Sequence, residues 1–432
     1  MLSRSARSKP NVTPPPPGLP LTSRSWAMRR HSDTWRTMRL ADTGRWLSGG
    51  TPNTSFPAYW GGDIPWISAS SLKDFDIAHS NRRVSQLGAS SGTRIVPPNT
   101  TLFVVRGMSL KNEFRVGVTR REVAFGQDCK AIIPRPGVDA RFLAYSLAAN
   151  ADRVLAMVDE AGHGTGRLPT DQLAALKIGV PEPAEQRRIV DILDSLDGSI
   201  RSTERLIVKL ERRKEGILQE LVERVAAAAT PRFSTVEQEF DVKPGITLGV
   251  HRRPRRRATP YLRVANVQRG RVDFDDLAFM EATKDDLLTY SLRTGDLLVV
   301  EGHASPSEIG RCAVIRQDPG ALVYQNHLFR LRPKRLSSEY AHLWLNSGHT
   351  RSYWRRMCAT SSGLYTINSR QLRALPVRMP EPREQDRIVG LARSHDKMVD
   401  CERAQLEKLR KLRHGLMEDL LMGWVRVPME GA

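Results

Sequence analysis

The sequence lacks the features that mark membrane, metal-binding or disulfide-stabilised proteins. No apolar run approaches the roughly 18 residues that a membrane-spanning helix needs. The four cysteines form no CxxC pair, and the ten histidines include no HExxH motif. We therefore expect a soluble, cytoplasmic protein with incidental thiols and no metal site.

Motifs of nucleotide and methyl-donor binding are also missing. There is no GxxxxGK[ST] loop, no glycine-rich strand-to-helix turn followed by an acidic residue, and no Asn-Pro-Pro-aromatic box. These absences favour a binding protein that carries no cofactor and has no catalytic residues. An enzyme with an unrecognised nuclease or methyltransferase site stays open, because metal nucleases need only scattered acidic residues.

The positive charge is unevenly distributed. The chain has 432 residues and a net charge of +20. Residues 182–224 carry ten acidic and nine basic residues, and residues 380–426 carry nine acidic and ten basic ones. The excess positive charge therefore lies outside these two segments, as expected if the intervening blocks face a polyanion.

A long internal repeat organises the chain. "PEPAEQRRIV" begins at Pro181 and "PEPREQDRIV" at Pro380, and the offset of 199 extends upstream and downstream of both. A period this long exceeds any solenoid unit, so it indicates that a domain together with a helix was duplicated. The prolines that open the two repeated stretches, which we call the leaders, are suited to the start of a helix. Glu185 and Glu384 then lie in the first helical turn.

The repeat and the composition predict six segments. We expect the basic, proline-rich N-terminus to be disordered; alternatively, Met28 or Met38 is the true first residue. The segments are a disordered extension (1–34), a first block (35–181), a first long helix (182–229), a second block (230–379), a second long helix (380–425) and a tail (426–432).

Both blocks combine short β-type runs with later helical patterns, which predicts an α+β fold. "NTTLFVVRG" and "GDLLVVEG" occupy equivalent places, and we align Gly107 with Gly302 at an offset of 195. Thr170 and Ser369 are the predicted N-caps of equivalent helices. The fold class is thus two similar α/β domains joined by two long helices, with a pseudo-twofold internal repeat.

The two long segments each carry an apolar seam that recurs every 3.5 residues, the pattern of a coiled coil. A helix of about 40 residues is about 60 Å long and cannot bury such a seam alone. We expect the two helices to pair antiparallel within the chain; packing on their own domains or in a homo-oligomer are the alternatives. The seam residues are Ile189, Leu193, Leu196, Ile200, Ile207, Leu210, Ile217, Leu221, Ile388, Val399, Leu406, Leu409, Leu416 and Leu420.

Candidate DNA-contacting residues lie in polar loops at equivalent places in the blocks. The arginines of "HRRPRRRA" are suited to contact phosphates; alternatively, they form a solvated basic loop. The side-chain amides of "QNH" can pair with adenine; alternatively, they hydrogen-bond to backbone groups at the ends of strands. The candidates are Arg106, Ser109, Lys111, Gly164, Arg167, Arg252, Arg253, Arg255, Arg256, Arg257, His303, Ser305, Gln325, Asn326, Ser361 and Ser362.

From about Trp35 to its end, the chain resembles the DNA specificity subunits of type I restriction–modification systems. The resemblance rests on both "PEPxEQxxIV" leaders with their helices, the preceding "QLxAL" segments, "GRWLSGGTP" near Gly44, and "QNHLFRLRP". It implies two target recognition domains, each reading half of a split double-stranded DNA sequence, with the helix pair setting the gap.

The resemblance further implies a non-catalytic subunit that recruits two methyltransferase subunits and restriction subunits for phage defence. S-adenosylmethionine, ATP and magnesium would then bind in those partners. The chain departs from the family pattern in its N-terminal extension, in "FGQDCKAII", and in the polar residues His395, Glu402 and Arg413, which we expect to weaken the second seam and leave room for a methyltransferase helix. A coiled-coil adaptor that binds no DNA remains a competing hypothesis.

Overall fold

The computed structural model describes residues 35–161, 164–227, 233–254, 258–361 and 364–427. The predicted disordered extension, residues 1–34, lies outside these ranges. The chain forms two compact units: unit 1 comprises residues 1–198 and 410–432, and unit 2 comprises residues 199–409. Each unit therefore contains one block together with part of each long helix.

Unit 1 has an α+β fold. Its strands are β1 (Arg36–Arg39), β2 (Gly44–Ser48), β3 (Trp60–Ile67), β4 (Asp76–Ile77), β5 (Arg83–Val84), β6 (Arg94–Val96), β7 (Thr101–Val104), β8 (Arg106–Gly107), β9 (Val116–Thr119), β10 (Val123–Phe125), β11 (Cys129–Pro134), β12 (Asp159–Ala161), β13 (Thr165–Arg167) and β14 (Lys177–Val180). Its helices are α1 (Gln86–Gly92), α2 (Ala140–Ala149), α3 (Ala151–Leu155), α4 (Thr170–Ala175) and the first part of α5 (Pro183–Ala227).

Unit 2 has a similar order of elements. Its strands are β15 (Phe233–Thr235), β16 (Phe240–Pro244), β17 (Ala258–Leu262), β18 (Val267–Gln268), β19 (Arg271–Val272), β20 (Ala278–Glu281), β21 (Leu297–Val300), β22 (Gly302–His303), β23 (Cys312–Val314), β24 (Val323–Tyr324), β25 (Leu328–Pro333), β26 (Ala359–Ser361), β27 (Leu364–Thr366) and β28 (Pro376–Arg378). Its helices are α6 (Val236–Glu239), α7 (Lys284–Tyr290), α8 (Ser338–Leu345), α9 (Gly348–Met357), α10 (Ser369–Arg373) and most of α11 (Pro382–Leu421).

The sheets of the two units share a common set of strand pairings. The order β2-β11-β7-β9 in unit 1 corresponds to β16-β25-β21-β23 in unit 2. A parallel pair, β3 with β10 and β17 with β24, and a small sheet, β12-β13-β8 and β26-β27-β22, also recur. The internal repeat in the sequence is thus a repeat of the fold, and two similar α/β domains are confirmed.

The strand register corrects the alignment of the blocks by one residue. Val104 pairs with Cys129, whereas Val300 pairs with Leu328. Because β11 and β25 correspond at an offset of 199, β7 and β21 correspond at 196, so Gly107 matches His303 and the predicted match to Gly302 is wrong. All four residues of each of these strands are buried, so no alternation of apolar and polar residues marked the register.

The predicted N-caps are also displaced. Thr170 is the first residue of α4, and Pro169 before it provides no side-chain cap. In α10 the cap is Asn368, whose side chain accepts the amide of Gln371 while the Gln371 side chain accepts the amide of Asn368. Asn, Ser and Thr all cap well, so a run such as Asn368-Ser369 leaves the choice undetermined by sequence.

The repeated leader has a specific role in joining each long helix to its block. The buried Gln186 side chain accepts the amide hydrogen of Asp139, the N-cap of α2, at 2.8 Å and donates to the Pro181 carbonyl at 2.7 Å. Gln385 likewise accepts the amide of Ser337, the N-cap of α8, at 2.9 Å and donates to Pro380 at 3.0 Å. The glutamine of "PEPxEQ" therefore pins the start of each long helix to main-chain groups of its block.

Within each unit the long helices run antiparallel. In unit 1, Ile189 and Leu193 of α5 pack with Met417 and Leu420 of α11. In unit 2, Glu211 bonds to Arg403 at 2.7 Å, while Lys214, further along α5, pairs with Asp396, earlier in α11. The predicted antiparallel pairing is confirmed, and every predicted seam residue is buried or half-buried.

Arg413, one of the polar residues of the second seam, is paired. In unit 1 its guanidinium pairs with the carboxylate of Asp197, which is buried on α5. Asp197 also accepts the Tyr145 hydroxyl of α2 at 2.9 Å. The polar seam position is thus filled by a charge pair and a hydrogen bond, which satisfy groups that would otherwise be costly to bury.

Candidate nucleic-acid interface

One residue in each unit joins three loop segments through its main chain, including those that hold predicted DNA-contacting residues. In unit 1, Val105 donates its amide to Asp128 at 2.8 Å, and its carbonyl accepts the amide of Leu168 at 2.9 Å. In unit 2, Glu301 makes the same bonds with His327 and Ile367, at 3.0 and 2.9 Å. Segments that are far apart in sequence therefore meet along one edge of each unit, which we call the recognition edge.

Gly49 and Gly245 bring a fourth segment to this edge. A Cβ atom on Gly49 would lie 2.3 Å from the carbonyl oxygen of Gly126, and one on Gly245 would lie 2.3 Å from that of Gln325. No side chain fits at such a distance, so glycine is required at both positions. The recognition edge of unit 1 comprises residues 49–59, 105–111, 126–128 and 164–168; that of unit 2 comprises residues 245–253, 301–309, 325–327 and 364–367.

Basic side chains dominate the recognition edge of unit 1. Arg106 of β8 and Arg167 of β13 are direct cross-strand partners, and both are exposed. Lys111 is exposed and pairs with Glu160 of β12, while Ser109 is half-buried in the same loop. Gly164 is exposed with φ of 75°, a conformation that favours glycine. The structure thus brings all five unit 1 candidates together.

The edge of unit 2 has different chemistry on the same scaffold. His303 of β22 pairs across the strands with Tyr365 of β27. The Nδ1 atom of His303 accepts the amide of Ser305 at 3.0 Å, and the Ser305 and Ser307 hydroxyls lie 2.8 Å apart. Ser361 ends β26 in the same small sheet. Ser362 lies outside the described residues.

Gln325 and Asn326 lie between β24 and β25 and are held by their main chains. The Gln325 amide donates to Leu262 and the Asn326 amide to Ile246, both at 3.0 Å. Both side chains are half-buried, and within the described ranges neither side-chain amide has a hydrogen-bond partner. Their polar groups are therefore available to a ligand, as base reading would require.

Arg252 has a structural partner. Its guanidinium pairs with the buried carboxylate of Asp286, which also accepts the amide and the hydroxyl of Thr283, each at 2.8 Å. The hydrogen bond from Arg252, with the bonds from Thr283, lowers the pKa of Asp286 to about 2. This geometry favours a brace for the loop over DNA contact, whereas Arg253 is exposed. Arg255, Arg256 and Arg257 lie outside the described residues.

Sequence reasoning missed the loop of residues 51–59, which in unit 1 takes the place of the arginine-rich loop. Asn53 accepts the amide of Ser55 at 3.0 Å, and the rings of Phe56 and Tyr59 lie 4.6 Å apart. The Arg82 guanidinium sits 4.0 Å from the ring centroid of Trp60. The glycines of "LSGGTP" and "KPGIT" are the signal that could have matched the two loops.

The described residues offer no evident catalytic centre. Among them, no group of three or more His, Cys, Asp and Glu residues is placed to hold a metal ion. Burial raises the pKa of the Cys129 thiol to about 12, and burial likewise raises the pKa of Cys312, so both are poor nucleophiles. None of the described helices is long and apolar enough to cross a bilayer.

Comparison with known proteins agrees with this architecture. Residues 32–212 match the family model of the type I restriction modification DNA specificity domain. The chain is 29% identical over 184 residues to the EcoR124I/EcoR124II specificity subunit of the type I restriction enzyme of Escherichia coli, covering 42% of this chain and 45% of that relative. The matched region thus spans less than half of that protein.

Two solved structures share the fold over most of the chain. One, from work on the complex assembly and conformational transition of the type I R-M system, has a TM-score of 0.63 at 15% identity and covers 90% of this chain and 98% of its own. The other, the type I restriction–modification S subunit from M. genitalium, has a TM-score of 0.50 at 15% identity and covers 90% and 96%. Residues 32–212 are thus similar to the type I restriction modification DNA specificity domain, and the chain has the fold of the solved type I S subunit over 90% of its length.

Proposed function

We propose that this protein is the DNA-recognition subunit of a type I restriction–modification complex. It binds a bipartite double-stranded DNA target, and each recognition edge reads one half. The observation that carries the proposal is the duplicated edge, in which loops with different side chains are held by the same main-chain bonds. A constant scaffold with variable loops suits a protein that must read two unrelated sequences.

Affinity and specificity would come from different groups on each edge. Exposed arginines such as Arg106 and Arg167 can neutralise phosphates or pair bidentately with guanine. The amides of Gln325 and Asn326 suit adenine, whose N6 and N7 atoms offer a donor and an acceptor. Arg253, His303 and Ser305 provide further polar groups on the second edge.

Catalysis would reside in partner subunits. We propose that methyltransferase and restriction subunits join this chain in the cytoplasm and supply S-adenosylmethionine, ATP and magnesium. The paired long helices would be their docking surface, and the absence of a recognisable phosphate loop or methyl-donor motif from the sequence supports a subunit without its own chemistry.

The test uses two double variants, one on each recognition edge. We expect that the chain, coexpressed with its methyltransferase partner, directs methylation to one bipartite sequence. The variant Arg106→Ala/Arg167→Ala should alter the bases selected in one half only, and His303→Ala/Ser305→Ala those in the other half only. Genome-wide profiling of methylated sites measures both.

Two outcomes would contradict the proposal. If each double variant changed both halves or neither, the edges would not be separate readers. If the purified chain alone modified or cut DNA in the presence of magnesium and S-adenosylmethionine, it would be an enzyme. A chain that binds no DNA at any salt concentration would instead support the coiled-coil adaptor.

A further inference from the structure

A basic groove lies beside the recognition edge of unit 2. It has a volume of about 320 Å³ and is lined by Pro306, Ser307 and Ile309 of the edge, by Gly348, Arg351, Ser352 and Arg355 of α9, and by Gln219 of α5. Helix α9 is followed by Cys358 and then directly by β26, a strand of the small sheet β26-β27-β22. The groove and the loops proposed to read bases are therefore parts of one surface.

Four guanidinium groups crowd this groove. Arg351 and Arg355 line it, Arg269 donates to the carbonyl of Ser307 at 2.8 Å, and Arg311 lies 3.7 Å from the Glu308 carboxylate. Two carboxylates pair with members of this cluster, Glu215 with Arg351 and Glu308 with Arg269 at 3.8 Å, so positive charge is in excess.

The crowding has an electrostatic cost. Burial lowers the pKa of Arg269, Glu308 opposes that effect, and the neighbouring charges of Arg351 and Arg311 lower the pKa further. Like charges held close together destabilise one another unless a counter-charge is present. An anion in the groove would relieve this repulsion.

Arg355 is placed to contact such an anion. Its side chain is exposed, and its one described hydrogen bond is from Nη2 to the Ser352 hydroxyl, at 3.1 Å. This bond orients the planar guanidinium while its other N–H groups remain available. Arginine binds phosphate bidentately in this way, and the groove is roomy enough for a phosphate group.

Unit 1 has no equivalent helix turn. Between Asn150 and β12 the chain has eight residues, whereas between Asn346 and β26 it has twelve. The short α3 carries Asp152, and Arg153 donates to the Asn150 side chain at 2.8 Å. The four additional residues in unit 2 correspond to one helical turn, and α9 carries Arg355 and Arg356 near its end.

We propose that this groove binds a DNA backbone phosphate beside the half-site read by unit 2, with Arg355 as the main contact. The inference rests on the proposed function and adds an asymmetry to it. The phosphate contact fixes the register of DNA on unit 2 without selecting bases, because a phosphate is the same at every nucleotide. Unit 1 positions its half-site without such a clamp.

The first experiment measures the salt dependence of DNA binding by the full chain. For Arg355→Gln we expect the slope of log K against log salt to fall by about 0.9, the value for one lost phosphate contact. Affinity should fall by the same factor on the target and on random duplexes, with unchanged base preference. The matched control is Arg393→Gln, which removes one exposed charge from α11 and should leave the slope unchanged.

The second experiment locates the phosphate. Uncharged methylphosphonate linkages are introduced one at a time along the target duplex. We expect one linkage beside the unit 2 half-site to weaken the wild type, and Arg355→Gln to be insensitive to that substitution alone. An additive loss in the variant would overturn the proposal.

The outcomes separate this inference from the function on which it rests. Absence of salt-dependent DNA binding in the wild type would defeat the proposed function itself. Normal binding with an unchanged slope in Arg355→Gln would defeat the groove alone. Loss of a copurifying methyltransferase subunit, with DNA binding intact, would overturn the phosphate assignment in favour of an acidic protein partner.

Discussion

The two units keep the same sheet order and main-chain junctions, yet they stabilise the starts of their long helices differently. In unit 1, Glu185 is only 3% exposed and pairs with Arg426 from the C-terminal segment at 2.7 and 3.0 Å. In unit 2 the matching Glu384 pairs with Arg387 one turn along its own helix. The duplicated part of the molecule is thus the scaffold, while the contacts around it have diverged.

The largest expected effect comes from removing the Arg426 partner of Glu185, the contact that distinguishes the helix start of unit 1 from that of unit 2. Arg426→Ala would leave the buried Glu185 carboxylate without this partner, and we expect a loss of about 3 kcal/mol in the free energy of unfolding. Arg387→Ala removes an exposed pair within one helix and should leave the free energy of unfolding nearly unchanged. Chemical denaturation of both variants at neutral pH measures the contrast; equal losses would show that the two helix starts are anchored alike.

A second prediction concerns the brace between Arg252 and Asp286, which holds the unit 2 loop that replaces residues 51–59 of unit 1. The pKa of Asp286 is lowered to about 2 from its usual 3.8. Its ionised form therefore adds stability above about pH 4, and this contribution of about 2 kcal/mol disappears as the pH falls through 2.

The variant Asp286→Asn isolates the effect. The free energy of unfolding should be lower in the variant than in the wild type at neutral pH, and the gap should narrow steadily as the pH falls from 4 to 2. Denaturation curves measured across this range test the prediction. A constant difference at every pH would mean that Asp286 acts by packing rather than by charge.

A third loss, smaller than those expected at Glu185 and Asp286, should be shared by the two units. Gln186→Ala and Gln385→Ala each leave main-chain groups at a helix start without partners, and we expect each to cost about 1.5 kcal/mol. Hydrogen exchange should show faster exchange at Asp139 in the first variant and at Ser337 in the second. If only one of the two variants had a lower free energy of unfolding, the two glutamines would not play equivalent roles.

Sequence patterns predicted the large features of the fold. The repeat at Pro181 and Pro380 predicted two similar domains, and the 3.5-residue seam predicted an antiparallel helix pair, because long-range periodicity reflects burial directly. The leader was recognised as the start of a helix, and Pro183 and Pro382 are indeed the first residues of α5 and α11.

Local geometry was less predictable. The fully buried strands β7 and β21 carry no alternation, so their register was misplaced by one residue. Arg252 was grouped with its neighbours in "HRRPRRRA" because its partner, Asp286, is 34 residues away and only the fold brings them together. Loop 51–59 was overlooked because its position beside the other edge segments depends on the close approach of Gly49 to Gly126.

The hydrogen bonds of Gln186 and Gln385 have a consequence for how the sequence of each block can change. Gln186 and Gln385 reach only carbonyl oxygens and amide hydrogens, which every residue except proline supplies in full. These particular hydrogen bonds therefore do not depend on which side chains the block carries. A block with a different sequence but the same backbone at these points would keep them, whereas side-chain contacts with the helix, such as Tyr145 with Asp197, would have to be retained or replaced.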